Sequence, residues 1–403
     1  MDVAGRRVAL RVARNETENP RSRFGQSINL FDQILPKVIM TALNRSAGRL
    51  VSPAADTIVR THTGPAIGDR LPALAEFAAA GARVPLSRHP GWLPVLERGL
   101  GHTPIALEAV RGGRTVGLMN LAFIRSLLFG RFLVSLPYLN SGGALASDAK
   151  AADALTDRAV ELSEVLKVRY LELRHEWALE HPALGHRRSD KVHMRLDLPS
   201  SAGALWDQLP AKVRNQVRKG QKGDFAIEWG GAELLSDFHR VFCHNMRDLG
   251  TPAFGRRLFA AVLRQFLDRS ELCVVRDKGK PVAAALLLHG WGVAEVPSAS
   301  SLRTYNPTCV NMLMYWSLLE RAVKRGHEVF DFGRSSEGSR TYQFKKQWGA
   351  TPFPAEWQYF LRKGTIGDMR PDNPRYDLLI RTWRRLPLWV TRIVGPRIVR
   401  GIP

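Results

Sequence analysis

The sequence is poor in cysteine and has no long apolar run. It contains three cysteines, Cys243, Cys273 and Cys309, among 403 residues. They are far apart and form no Cys-x-x-Cys pair, so we expect neither a disulfide framework nor a metal site. No uncharged apolar stretch reaches the roughly 18 residues of a spanning helix, and the N-terminus lacks a signal-peptide pattern. These absences predict a cytoplasmic protein, soluble or peripheral at the inner membrane.

Acidic residues are scarce relative to basic ones. The chain has 59 Lys and Arg against 37 Asp and Glu, a net charge of +22. Such an excess favours an anionic partner, which can be nucleic acid, a phosphate-bearing substrate or an anionic membrane. No nucleic-acid motif accompanies the charge, and a basic surface typical of arginine-rich genomes is the alternative explanation. Hydrophobic residues make up 45% of the chain, which is enough for a folded core.

Length and local patterns divide the chain into four parts, because one core rarely organises much more than about 200 residues. Residues 1–66 have weak periodicity and ten Lys and Arg against five Asp and Glu, which predicts a basic, partly disordered extension with one short helix near residues 31–43. Residues 67–200 and 201–365 have regular patterns and predict two folded domains. Residues 366–403 form a basic amphipathic tail.

The two central parts repeat one order of elements, which indicates a duplicated module. Alternating apolar residues around turns predict hairpins, followed by a helix and two strands. In the first half these are strands 105–110 and 116–124, helix 151–166, and closing strands 170–173 and 192–198. In the second half they are strands 272–276 and 282–288, helix 308–325, and closing strands 329–332 and 357–361. We therefore predict a mixed α/β (α+β) fold with two tandem twisted sheets flanked by helices.

The segment most typical of a site is residues 329–349, VFDFGRSSEGSRTYQFKKQWG. An apolar strand with one acid, Asp331, enters a turn rich in glycine and serine, and Arg334, Lys345 and Lys346 follow. Flexible backbone with free N–H groups and nearby cations is typical of a functional site at the carboxyl end of a strand. The alternative is a polar loop with a solvated basic patch, in which Asp331 hydrogen-bonds a neighbouring loop.

Three blocks of the chain resemble the FemAB family, in particular its members found with exosortase and PEP-CTERM systems. The blocks are residues 245–252 (NMRDLGTP), residues 311–316 (NMLMYW), and residues 330–350 with FDFGRS, Gly338, TY and FKKQWGA. The resemblance covers about residues 67–400. It implies two GNAT-like acyltransferase domains that transfer an acyl or aminoacyl group to an amine of a cell-envelope, peptidoglycan or exopolysaccharide precursor.

The resemblance also implies the site residues. A phenylalanine-lysine pair is implicated in catalysis in the family, and it matches Phe344 and Lys345 here. A fixed ammonium can stabilise the oxyanion that forms when an amine attacks an ester or thioester carbonyl. The predicted substrate-binding residues are Lys212, Arg214, Asn215, Arg218, Asn311, Tyr315, Arg334 and Tyr342. For Tyr315, Tyr342 and Asn311 packing is the alternative role, and for the 211–223 cluster it is a solvated helix face.

The resemblance leaves the donor open between acyl-CoA and aminoacyl-tRNA. The interval 231–271 is too short for the helical arm that many tRNA-using members carry, and no CoA pyrophosphate loop is evident. We expect no bound cofactor. The predicted partners are an anionic sugar-nucleotide or lipid-linked precursor, an aminoacyl-tRNA, and an anionic membrane surface that contacts the tail, whose alternative is packing on the second domain. A catalytically silent GNAT-like binding or scaffold protein of an export system is the competing hypothesis for function.

Overall fold

The computed structural model describes residues 56–81, 83–364 and 377–402. Most of the predicted extension, with its helix near residues 31–43, lies outside these ranges. The strands, in chain order, are β1 (Ile58–Thr63), β2 (Thr103–Arg111), β3 (Arg114–Ser126), β4 (Gly130–Ser135), β5 (Leu145–Ala146), β6 (Tyr170–His175), β7 (His186–Arg188), β8 (Lys191–Asp197), β9 (Phe225–Gly230), β10 (Ser270–Asp277), β11 (Lys280–His289), β12 (Val293–Ser301), β13 (Val329–Ser336), β14 (Thr351–Pro354) and β15 (Glu356–Leu361).

Helices flank the strands, and three of them begin at a side-chain cap. The side chains of Asp148, Ser201 and Ser339 each accept a hydrogen bond from a backbone N–H of the first turn that follows. The helices are α1 (Pro65–Ala79), α2 (Trp92–Leu100), α3 (Ala149–Val165), α4 (Ala202–Gln208), α5 (Ala211–Gln221), α6 (Leu235–Leu249), α7 (Arg256–Gln265), α8 (Val310–Lys324), α9 (Arg340–Lys346), α10 (Asp377–Arg385) and α11 (Leu388–Val399).

The strands form two sheets with the same internal order. The first has the order β1-β2-β3-β4-β6-β15-β7, with β5 beside β3, and the second has the order β14-β8-β13-β12-β11-β10-β9. Each contains an antiparallel hairpin, β2-β3 or β10-β11, and one parallel pair, β4-β6 or β12-β13, joined by a crossover helix. The predicted repeat of hairpin, helix and strand is present in both halves, and the mixed α/β fold class is confirmed.

The closing strands are exchanged between the sheets. The sequence predicts that residues 192–198 close the first module and residues 357–361 close the second. Instead, β8 pairs with β13 in the second sheet, and β15 pairs with β6 in the first. The prediction is wrong on this point because each segment has the two-residue period of a half-buried strand, and that period does not specify which sheet receives it. The domain boundary at residue 200 stays a prediction.

Both modules contribute to one large apolar core. Side chains of α1, α2, β2 and β3 pack in the same buried cluster as side chains of α6, α7, β10 and β11. A second cluster fills the opposite face of the second sheet, under α5 and α8. Since hydrophobic stabilisation scales with the apolar area that is buried, the two modules stabilise each other.

Segments at both ends of the described chain pack on the two modules. Strand β1 pairs with β2 over residues 58–63, so the first sheet begins before the predicted start at residue 67. The tail forms helices α10 and α11, which contact α6 of the second module. A Cβ at Gly250 would lie 2.6 Å from Ile380, and Arg384 donates a hydrogen bond to the Leu249 carbonyl. One face of the tail therefore packs as the alternative hypothesis expects.

Candidate active site

A bulge in β13 creates the candidate site. The pairing of β13 with β8 shifts register between Asp331 and Arg334, and Gly333 has a φ of 79°. A left-handed conformation at this position favours glycine over residues with a side chain. A Cβ there would also lie 3.2 Å from Nδ2 of Asn140 and 3.9 Å from Nζ of Lys345. Gly333 thus lets a loop of the first module approach the Lys345 ammonium.

Lys345 is buried at the end of α9, and its ammonium is fixed on the bulge. Its Nζ donates to the carbonyl oxygens of Gly333 and Arg334, each at 3.0 Å. An ammonium has three N–H donors, so these two bonds leave one for a ligand. Burial, together with the charge of Arg334, lowers the pKa of Lys345 to about 8, against the attraction of Asp331. The group is a cation at neutral pH and loses its charge at mildly alkaline pH.

Arg334 presents a second cation beside the first. Its guanidinium lies 3.8 Å from the ring centroid of Trp357, and the guanidinium of Arg174 lies 4.1 Å from the same centroid. Arg174 is paired with Glu172, whereas Nη1 of Arg334 is buried and has no hydrogen-bond partner among the described residues. Burial and then the charge of Arg174 lower the pKa of Arg334 to about 9. A buried, unmatched guanidinium favours binding of a carboxylate or phosphate.

Asp331 is occupied by structural contacts. Its carboxylate accepts hydrogen bonds from the backbone N–H of Gly333 at 2.7 Å and from Nε of Arg195 at 3.0 Å. Arg195 in turn donates two hydrogen bonds to Glu176, which also pairs with Arg88. Burial alone would raise the pKa of Glu176, but the hydrogen bonds and charges of its arginine partners lower it to about 2. This ion network ties β8 and β13 to the end of β6 and holds the bulge in place.

Glu295 is a functional candidate that the sequence analysis did not select. It lies on β12 directly opposite Asp331, is buried, and accepts a hydrogen bond from the backbone N–H of Ser87 at 2.8 Å. Burial, reinforced by the charge of Asp331, raises its pKa to about 7. In the first module the corresponding position, opposite Glu172, is Val134. The fold therefore does not need an acid there, and Glu295 can gain or lose a proton near neutral pH.

We predict that Glu295 makes stability depend on pH between about 4.5 and 8. The folded protein retains this proton while the unfolded chain releases it, so stability falls as pH rises from the ordinary value of 4.5 through about 7. The loss is about 3 kcal/mol, and it should be absent from Glu295→Gln. Urea unfolding at pH 5 and pH 8 measures it. Exposed Glu337→Gln is the control, and parallel pH profiles for Glu295→Gln and wild type would contradict the assignment.

A small pocket lined by both polar and apolar side chains opens in the first module beside this network. Oδ1 of Asn120 and Nδ1 of His175 line it, are buried, and have no hydrogen-bond partner in the described part of the chain. Trp177 is half exposed at its edge, with the Arg88 guanidinium 5.5 Å from the ring centroid. Residues 141–145 line the pocket directly after Asn140, which approaches Gly333. No cluster of His, Cys, Asp and Glu side chains among the described residues could hold a metal ion.

The predicted aromatic residues lie in the core. Tyr315 packs on Phe332, Phe344 and Trp348, with ring centroids 5.8, 4.9 and 6.3 Å away. Tyr342 is buried in the same cluster, and burial raises the pKa of Tyr315. Tyr315 and Tyr342 therefore have the packing role that the sequence analysis gave as the alternative to substrate binding. Phe344 is half buried beside Tyr315, so its contact with the core helps to orient the short helix that carries Lys345.

The other predicted binding residues are dispersed. Lys212, Asn215 and Arg218 are exposed on α5, and Arg214 is half buried there. Arg218 lies over the ring of Trp206 and donates a hydrogen bond to Asn215, as on a solvated helix face. Asn311 is half buried in the first turn of α8. Of the predicted set, the structure brings Lys345 and Arg334 together and gives Phe344 and Tyr315 a shared contact, while a ligand role for the α5 residues stays a prediction.

The two sheets define a tandem GNAT-like fold, and the second module contains a cationic centre. A model of the acetyltransferase (GNAT) domain family matches residues 209–346. FemX has a similar crystal structure, with a TM-score of 0.57, 14% identity, and coverage of 81% of this chain and 100% of FemX. This likeness shows the fold.

Two further solved structures have lower scores. A tandem GNAT protein from the clavulanic acid biosynthesis pathway has a TM-score of 0.48 and 14% identity, over 76% of this chain and 100% of its own. L-PGS from Bacillus licheniformis has a TM-score of 0.46 and 12% identity, over 70% of this chain and 86% of its own. No curated protein matches the sequence. No helix in the described ranges is long and apolar enough to cross a membrane.

Proposed function

We propose that this protein is an N-acyl- or aminoacyltransferase whose reaction centre is Lys345. The observation that carries the proposal is an ammonium held by two backbone carbonyls at the bulge, next to Arg334, whose Nη1 is buried without a hydrogen-bond partner among the described residues. Such a fixed cation can stabilise developing negative charge with little reorganisation during the reaction. The GNAT-type fold and the match over residues 209–346 support the same reaction class.

The proposed reaction joins an acceptor amine to a donor carbonyl carbon. The amine nitrogen attacks, the carbonyl oxygen becomes an oxyanion that pairs with the Lys345 ammonium, and a thiol or ribose hydroxyl leaves the carbon. The amine loses one proton and the leaving group gains one. Arg334 would hold an anionic group of a substrate, and positioning of both substrates would supply much of the remaining acceleration. Glu295 is a buried carboxyl able to exchange a proton at neutral pH close to this centre.

The substrates and setting are part of the proposal. We propose an anionic sugar-nucleotide or lipid-linked precursor as acceptor, and acyl-CoA or aminoacyl-tRNA as donor. The unmatched Arg334 and the net charge of +22 support an anionic acceptor. The resemblance of the three sequence blocks supports an envelope, peptidoglycan or exopolysaccharide precursor and the PEP-CTERM/exosortase setting. We propose a cytoplasmic location, peripheral at the inner membrane.

The test is a donor screen. The purified protein is incubated with envelope precursors and, separately, with small-molecule, acyl-CoA and aminoacyl-tRNA pools, and mass shifts of the precursors are measured. We expect one pool to produce a shift whose mass identifies the transferred group. A silent binding or scaffold protein would give no shift with any pool, while still binding the precursor, and that outcome would replace the proposed function.

A further inference from the structure

The turn between β3 and β4 has two leucines at its tip. Leu127 is fully exposed and Leu128 is 76% exposed. Exposed arginines, Arg125 and Arg131, flank the turn on the two strands. Adjacent large apolar side chains in water are unfavourable unless a partner covers them. The turn therefore has the character of a binding element, and the proposed reaction does not use it.

The outward face of α11 has the same character. Thr391, Gly395 and Val399 face the protein and are buried, and a Cβ at Gly395 would lie 3.1 Å from the backbone nitrogen of Ala253. On the opposite face, Trp389 and Ile393 are 67% and 54% exposed. Between residues 377 and 402 the sequence has six arginines, and Asp377 is its single acid. The helix is thus apolar and cationic on the side that it turns away from the fold.

The two elements meet at the end of α11. A Cβ at Gly401 would lie 2.5 Å from Oγ of Ser126 and 3.4 Å from the ring of Phe129, so the chain end packs directly against the turn. The hydroxyl of Tyr138 donates to the carbonyl of Arg400 at 2.8 Å and fixes the junction. Ile402, which is exposed, extends the apolar surface from the turn towards α11. We call Leu127, Leu128, Trp389, Ile393 and Ile402 with their flanking arginines the turn–tail surface.

We propose that the turn–tail surface docks on an anionic lipid bilayer. Apolar tips interspersed with arginines fit a membrane interface, where the side chains enter the acyl boundary and the guanidinium groups pair with phosphate. Nucleic acid would use the arginines but would leave the leucine tip in water. The inference deepens the proposed peripheral location, because it adds a second element, distant in sequence from the tail, and fixes which face of the protein meets the lipid. It stands independently of acyl transfer.

The test is co-sedimentation with vesicles of phosphatidylcholine alone or with about one part in three of phosphatidylglycerol. We expect the wild type to bind the anionic vesicles and to be released by high salt. Leu127→Ser/Leu128→Ser and Trp389→Ser/Ile393→Ser should each weaken binding by about tenfold, because each removes two inserted side chains. The matched control is Leu267→Ser, which alters a leucine that is 75% exposed in the second module.

Two results would overturn the proposal. One is equal sedimentation of the wild type with neutral and anionic vesicles, and the other is unchanged binding of Leu127→Ser/Leu128→Ser. All variants alter exposed side chains, so matching thermal unfolding curves should show that each is folded. Acyl transfer to a water-soluble acceptor should be the same in wild type and variants, which separates a failure of membrane docking from a failure of the proposed reaction.

Discussion

Replacing Lys345 by Met should lower kcat for acyl transfer by about 10²- to 10³-fold, which is the usual effect of removing one oxyanion-stabilising donor. Met retains most of the buried stem and removes the charge. The variant also leaves the carbonyls of Gly333 and Arg334 without this donor, so some stability is lost. Steady-state rates are therefore measured together with thermal unfolding and donor binding.

The wild-type pH profile gives a second readout that needs no variant. Lys345 stabilises an oxyanion as a cation, and its pKa is about 8, so the rate should decline as pH rises above about 8. Deprotonation of the acceptor amine acts in the opposite direction and makes the profile bell-shaped. The neighbouring, exposed Lys346→Ala is the matched control and should retain full turnover. A folded Lys345→Met with wild-type kcat would remove Lys345 from the mechanism.

Replacing Arg195 by Met should lower the free energy of unfolding by about 3 to 5 kcal/mol at pH 7. Arg195 is the cation between two acids, Asp331, which is almost fully buried, and Glu176, which is largely buried. Met fills much of the volume but leaves both carboxylates without their shared partner. The loss arises from the weakened compensation of these charges, since Glu176 keeps only its pair with Arg88, rather than from a cavity. Urea unfolding monitored by circular dichroism measures it.

The pH dependence of this loss identifies its cause. The pKa of Glu176 is lowered to about 2, so its contribution is present above the unfolded value near 4.5 and is lost as pH falls towards 2. The difference between wild type and Arg195→Met should therefore shrink below about pH 4. Arg83→Met removes exposed pairs with Asp197 and Glu328 and should cost less than about 1 kcal/mol. A difference for Arg195→Met that is constant with pH would indicate lost packing instead.

Local patterns predicted much of the fold. The turns at Gly112–Gly113 and Lys278–Gly279 lie between alternating apolar residues, and both became hairpins with positive φ at the glycines. Crossover helices α3 and α8 follow the 3.6-residue period and end within two residues of their predicted limits. These features are local because turn geometry and amphipathic spacing are read over a few residues.

The unpredicted features depend on distant pairing. The period of β8 and β15 shows that they are half-buried strands, but their partners lie in the other sheet. Glu295 is a single acid among the apolar residues that begin β12, and the same signal selected Asp331, so the sequence could have indicated Glu295 as well. Its raised pKa arises from burial and from the charge of Asp331, while the hydrogen bond from Ser87 acts in the opposite direction; these two residues are 36 and 208 residues away in sequence. The pocket beside Asn120 and His175 likewise forms from separate segments.

The strand exchange also affects the order in which the chain can be completed during synthesis. Strand β6 pairs with β15 and His175 lies opposite Glu356, so the partner of β6 emerges from the ribosome long after β6 itself. Until residues 356–361 have been translated, the first half presents an open strand edge, a surface on which nascent chains associate wrongly. The first sheet therefore cannot be completed until almost the whole described carboxyl-terminal half has been translated. In a gene that encodes two copies of one module, the exchange makes the product a single unit of translation and assembly, whose halves cannot be divided at the repeat boundary without leaving each with a missing strand.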